Sequence, residues 1–252
     1  MPHPEHDAGI VWNRLSEPRM APYLDRAGGD KGDALALYEW STRIAAAAFE
    51  DVGHVEVLLR NAVDSCLRRH FREDERGIPW FLMPLPGGEG AAAPVRSVRQ
   101  RLREDGKESR DQIVAGLTFG YWSGLLGAEY ADLWRECLHR AFPNAPGRRR
   151  KVYEALDGIR AFRNRLAHHD SMLGVDVPFE ARRVFEAARW IDAEAAAWLE
   201  HRSRVPELCR LCPTGAVGAG AHRRRERRAR LRAALRSASA GLRNAARTRP
   251  RS

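Results

Sequence analysis

Long apolar runs, lysine, cysteine and targeting features are all scarce in this sequence. No apolar stretch approaches the roughly 18–20 residues that span a bilayer. The longest, Ile44-Ala-Ala-Ala-Ala-Phe49, is far too short, so no membrane association is expected. The first residues, Met-Pro-His-Pro-Glu-His-Asp, lack both the basic and the apolar region of a signal peptide, which makes a cytoplasmic location the expectation. Cysteines number four. Cys66 falls on an apolar helical stripe and reads as core. Cys209-Arg-Leu-Cys212 is a lone C-x-x-C, and a zinc site needs a second pair or histidines at matching spacing. His201 alone does not supply them, so neither a metal nor a cofactor is expected. Lysines number three (Lys31, Lys107 and Lys151), and nearly all the positive charge is therefore arginine.

What is present suffices for a packed core. The chain has 252 residues, 44% of them hydrophobic, with seven tryptophans that a disordered chain would not carry. The net charge of +10 is unevenly spread: residues 213–252 hold twelve arginines and one acid, Glu226, for +11, which leaves about −1 for residues 1–212. The division expected is a helical domain over 1–212 and a disordered, arginine-rich tail over 213–252.

Helical periodicity runs through the first of these. Residues 1–32, with Pro18, Pro22 and Gly28-Gly29, read as loop, with Asp30 or Asp33 capping the helix that follows. Val52, Val55, Leu59, Ala62, Val63, Cys66 and Leu67 recur at helical spacing. Gly53 either breaks the preceding helix or interrupts one long one. Four prolines and four glycines make 77–94 a loop, with Pro94 opening a short helix. Gln112 to Leu126 is apolar, and its Phe119-Gly-Tyr-Trp122 cluster is a core anchor. Further helices are expected around Leu133–Leu138, over 148–170, over 179–190 and from Asp192, a capping residue, to Leu199. No strand alternation of useful length occurs, so the fold class is all-α.

The chemistry concentrates in Arg160-Ala-Phe-Arg163-Asn164-Arg165-Leu-Ala-His168-His169-Asp170. Arginine can stabilise a phosphorane-like transition state, and histidine is the usual proton carrier near neutral pH. On a helical wheel Arg163 falls inside the apolar stripe of Leu156, Ile159, Phe162 and Leu166. A half-buried arginine needs a partner or water, which points to a cleft or subunit interface. Asn164 and His168 share a face, but His168 lies about 140° from Arg163 at ~100° per residue. One ideal helix does not aim both at one phosphate. The plainer reading is a salt-bridged helix end, with histidines favoured by the dipole and Asp170 paired with Arg165.

Arg163-Asn-Arg-Leu-Ala-His-His resembles the R-N-x-x-x-H signature of the HEPN superfamily. More specifically, the chain is similar to the Abi-like (abortive infection) proteins of bacteria. Leu15-Ser-Glu-Pro-Arg-Met-Ala-Pro-Tyr-Leu24, Ala36-Leu-Tyr-Glu-Trp40, His54-Val-Glu-Val-Leu-Leu-Arg-Asn61 and Leu117-Thr-Phe-Gly-Tyr-Trp122 carry the same likeness in the same order. Together they cover roughly residues 11–208. The resemblance implies a HEPN-like helical bundle with additional helices. It also implies a homodimer in which two motif helices face each other across a cleft, so that Arg163 of one subunit can meet His168 of the other. Many such proteins are metal-independent endoribonucleases; others are non-catalytic RNA-binding or scaffold proteins.

The expected function is RNA cleavage in phage defence. The alternatives are a non-catalytic RNA-binding or scaffold protein, or the toxin of a toxin–antitoxin pair, with an antitoxin or regulator as partner. The expected catalytic residues are Arg163 for charge stabilisation, His168 as general acid or base, and Asn164 for orientation. His169 is either a second proton carrier or a surface residue. Glu56 and Arg60 form either an exposed i, i+4 pair or a flank of the cleft. Arg223, Arg224, Arg225, Arg227 and Arg228 in the tail are candidate RNA phosphate contacts, set against a reading of the tail as solvated extension.

Overall fold

The structure, a computed structural model, describes residues 8–86 and 88–213. Among them are twelve α-helices, three short 3-10 turns and no strand, so the protein is all-α. The arginine run at 223–228 lies outside the described residues. Two compact units divide the chain: one contains 8–43 and 210–213, the other Ile44–Cys209.

The smaller unit begins with α1 (Ala8–Leu15) and α2 (Glu17–Arg26), where the sequence suggested loop. The prolines mislead there. Pro18 stands in the first turn of α2, where an amide hydrogen is dispensable, and Pro22 is tolerated further in. Amphipathic spacing prevails and buries Met20 and Tyr23. The Tyr23 hydroxyl donates to Ser41 Oγ at 3.1 Å, and the Tyr23 ring meets Tyr38 edge-on. Gly28 and Gly29, both at positive φ, turn the chain into α3 (Lys31–His70). Asp30 is the capping residue, its carboxylate accepting from the Asp33 amide at 2.9 Å.

Helix α3 is one continuous element of 40 residues. Gly53 does not interrupt it, and a side chain there would meet nothing within 4 Å. Its predicted stripe is buried, with Val52, Val55, Leu59, Val63 and Leu67 all fully covered. After α4 (Glu73–Arg76) and a 3-10 turn at Trp80–Leu82 comes α5 (Glu89–Glu104), which starts five residues before Pro94. The apolar segment 112–126 is two helices, α6 (Arg110–Gly116) and α7 (Phe119–Gly124), parted where Thr118 caps α7. Trp122 is fully buried against Trp80, with ring centroids 6.0 Å apart, and its indole donates to the Leu117 carbonyl.

α8 (Ala131–Glu136) and a 3-10 turn at Leu138–Ala141 lead to α9 (Arg149–Ala167), the motif helix. α10 (Val177–Ile191), α11 (Ala193–Arg202) and α12 (Val205–Arg210) are the last helices among the described residues. As expected, Asp192 caps α11, accepting from the Ala195 amide at 2.8 Å. α9 buries Val152, Leu156, Ile159, Phe162 and Leu166, each contributing roughly 1.5–3 kcal/mol. It packs against α7 and α10.

Asp51 ties the end of α11 back to α3. It is 4% exposed and accepts from Ser203 Oγ at 2.6 Å. Burial pushes its carboxyl up to about 6; Glu50 adds to this, while Ser203, His54 and Arg204 oppose it. Because the folded value lies above the ordinary 3.8, the contribution to stability is complete below about pH 4 and is lost as pH rises through about 6. Ionised Asp51 therefore costs roughly 3 kcal/mol at pH 8. Asp51→Asn keeps an acceptor for Ser203 without the charge. Urea unfolding of this variant should show a gain of about 1–3 kcal/mol at pH 8, shrinking toward zero at pH 4. A loss of stability at pH 8 would refute the assignment.

Candidate active site

The motif helix ends at Ala167, three residues earlier than its composition suggests. His168 is the C-cap, with φ −88° and ψ 7°. His169 takes the left-handed conformation at φ 55°. Its amide bonds to the Leu166 carbonyl at 3.1 Å, and that of Asp170 reaches back to Arg165 at 3.0 Å. These two bonds make a Schellman ending, usually built around glycine. Arg165 and Asp170, at the positions where that motif often carries an apolar contact, form an exposed ion pair at 3.8 Å instead. The salt-bridged end expected on the plainer reading is thus present, and the His169 backbone shapes it.

His168 and Asn164 are exposed. They line a groove of about 470 Å³ between α9 and α10, together with Arg165, Asp170, Glu180 and Arg183. Arg183 lies flat against the α9 backbone at Gly158, where a Cβ would come within 2.2 Å of its Nη1. It pairs with Glu180 and sits 5.5 Å from the Phe179 ring centroid. These groove partners from α10 were not anticipated. The only trace of them in the sequence is a glycine in mid-helix, which signals a close approach without naming the partner.

Arg163 does not line this groove. It points toward α3, its guanidinium 5.7 Å from the Phe49 ring centroid and its Nε 3.9 Å from Glu56 Oε2. That separation is too long for a hydrogen bond, and Nε is buried without an acceptor. The side chain remains 33% exposed, the half-buried state that the wheel implies. Phe49 and Val57 of α3 are each 42% exposed, so the surface around Arg163 is open and partly apolar. Glu56 is beside Arg163 and forms no pair with Arg60; Arg60 Nε instead donates to Asn61 Oδ1 at 3.4 Å. The exposed Glu56–Arg60 pair is therefore corrected: Glu56 is drawn to the cation on α9.

One chain thus brings Asn164 and His168 together in one groove and Arg163 and Glu56 together on another face. Among the described residues no group of three or more His, Cys, Asp or Glu is placed to hold a metal ion, and no helix is long and apolar enough to cross a membrane. Compared with known proteins, the chain matches no family model, no curated protein and no solved structure.

Proposed function

We propose that this protein is a homodimeric endoribonuclease of the Abi-like HEPN type, acting on RNA in phage defence. The observation that carries this reading is the exposure of His168 and Asn164 in an open groove at the end of α9. A purely structural histidine has no need of such a groove. In the proposed reaction a proton leaves the substrate 2′-hydroxyl as its oxygen attacks the adjacent phosphorus. The bond from phosphorus to the 5′-oxygen breaks, and that oxygen takes up a proton. His168 is the base or the acid of this exchange. Arg163 of the second subunit holds the non-bridging oxygens as charge builds on them. Its side chain is 33% exposed, which leaves part of the guanidinium open to a substrate. Asn164 orients His168 or the end of α9. The products are a 2′,3′-cyclic phosphate and a 5′-hydroxyl.

Purified protein incubated with single-stranded RNA in excess EDTA is expected to yield fragments with these ends, identified by mass spectrometry. RNA binding without cleavage would replace the nuclease by a non-catalytic RNA-binding protein. The separation of Arg163 from His168 within one chain favours that alternative if the protein is monomeric.

A further inference from the structure

At the far end of α9 from His168 lies a second, larger groove of about 590 Å³. Its walls include Trp134, Arg135, His139, Arg140, Phe142 and Gly147, and no aspartate or glutamate lines it. Arg135 is neutralised by Asp132. Arg140 is exposed and pairs with no carboxylate among the described residues. His139 is exposed, and its Nδ1–H donates to the Trp134 carbonyl at 3.0 Å, so Nε2 meets a ligand as an acceptor in the neutral ring and as a donor in the imidazolium. Trp134 and Phe142 are stacked, with centroids 5.8 Å apart, but are only 7% and 3% exposed. They form a rigid floor and offer no open face for a base to stack on. The unneutralised charge left for a ligand is the Arg140 guanidinium, beside the apolar walls of Pro143 and Ala145.

The charge continues beyond the groove wall. Gly147 is followed by Arg148, Arg149, Arg150 and Lys151. Arg149 donates to the Leu126 carbonyl and Arg150 pairs with Glu154, so two of these cations are engaged locally. The first turn of α9 has no acidic residue. Cations at that end of a helix run against its dipole, and an anion bound alongside relieves the conflict.

We infer that this groove binds phosphate, held by Arg140 and by the imidazolium form of His139, and that its ligand is a backbone phosphate of the RNA strand. The inference rests on the RNA-directed reading of the motif. The 19 residues of α9 separate the two grooves by about 27 Å along the helix axis, the length that a single strand must span to engage both. The groove anchors the strand through its phosphates, which carry no sequence information, while His168 acts at the other end.

The test is binding of a labelled 2′-O-methyl RNA, which cannot be cleaved by its own 2′-oxygen. A length of roughly 12 nucleotides spans the distance even at ~3.4 Å per nucleotide. Full-length wild type, the double variant His139→Gln/Arg140→Gln and the control Arg76→Gln, an exposed cation at the end of α4, are compared by fluorescence anisotropy across a salt series. The double variant should bind about tenfold more weakly, with a log–log salt slope shallower by roughly 0.7–1.4. The control should stay within about twofold of wild type. Equal losses in both variants, or no loss in either, overturn the site. Competition with AMP and with inorganic phosphate separates strand from free nucleotide. Displacement of the RNA only by other strands supports the strand; displacement by AMP that depends on Arg140 assigns the groove to a mononucleotide. If the wild type binds through Arg140 but cleaves nothing, the nuclease reading fails and the groove stands. If it cleaves and the double variant binds normally, the groove fails alone.

Discussion

Alanine in place of His168 is expected to lower RNA cleavage by about 10²–10⁴-fold, the usual contribution of a positioned proton carrier. Thermal unfolding should be unchanged, because His168 is exposed at the C-cap. Arg163→Gln should cost a similar factor, on the order of 10²–10³, by removing stabilisation of the transition state. The more informative result comes from mixing the two inactive proteins under conditions that allow subunit exchange. If each site takes Arg163 from one subunit and His168 from the other, a heterodimer of the two variants has one wholly intact site and one doubly defective site. Random pairing then restores about one quarter of wild-type activity. If both residues act within one chain, no heterodimer contains an intact site and the mixture stays inactive. Full cleavage by His168→Ala alone would remove that residue from the reaction altogether.

The orientation problem behind this experiment was legible before any coordinates. The apolar stripe of α9 and the placing of Arg163 within it follow from helical periodicity, and so does the angle between Arg163 and His168. The structure adds the cause of Arg163's half-burial, the Phe49 ring and Glu56 carboxylate on α3, which lie more than a hundred residues away in sequence. It also moves His168 from the helix body to the cap. That change was hidden because the residue in the left-handed position is His169, where composition would lead one to look for glycine. The capping residue Asp192 could be read directly, and Asp30 as one of two candidates with Asp33, since a cap is a local interaction. The break between α6 and α7 could not: continuous apolar composition concealed Thr118, whose side chain accepts from the Tyr121 amide. Arg183 and Glu180 escaped notice because their part in the groove depends on how α10 crosses α9.

Another such long-range feature sets the second large expectation. Arg110, 23% exposed at its side chain, joins Glu73 at 7% and Asp64 at 14%. Its Nη2 donates to Asp64 Oδ1 at 2.8 Å and Oδ2 at 3.1 Å, and its Nε to Glu73. The same carboxylates accept from Trp80: the indole Nε1 reaches Asp64 at 2.7 Å and the backbone amide reaches Glu73 at 3.1 Å. Burial works against the Arg110 charge, but hydrogen bonds to Glu73 and Asp64 outweigh it and hold its pKa above the ordinary arginine value. The cluster fixes Trp80, which packs on Trp122 of α7, and α7 packs on the motif helix.

Arg110→Met removes the cation that bridges the two carboxylates and leaves them mostly buried, with Arg68, 4.0 Å from Glu73, still beside them. The expected loss is about 3–5 kcal/mol, seen as a fall in Tm on the order of 10 °C for a chain of this size. Adding Asp64→Asn and Glu73→Gln to Arg110→Met should recover most of that loss, because a neutral cluster has no uncompensated charge to bury. A single variant that loses less than about 1 kcal/mol would mean that water already screens the carboxylates as it does on an exposed surface. A triple variant as unstable as the single would place the stability in the geometry of the arginine fork rather than in its charge. Cleavage per folded molecule should be unchanged in Arg110→Met at temperatures well below its Tm, since the cluster supports the motif helix without touching the groove at His168.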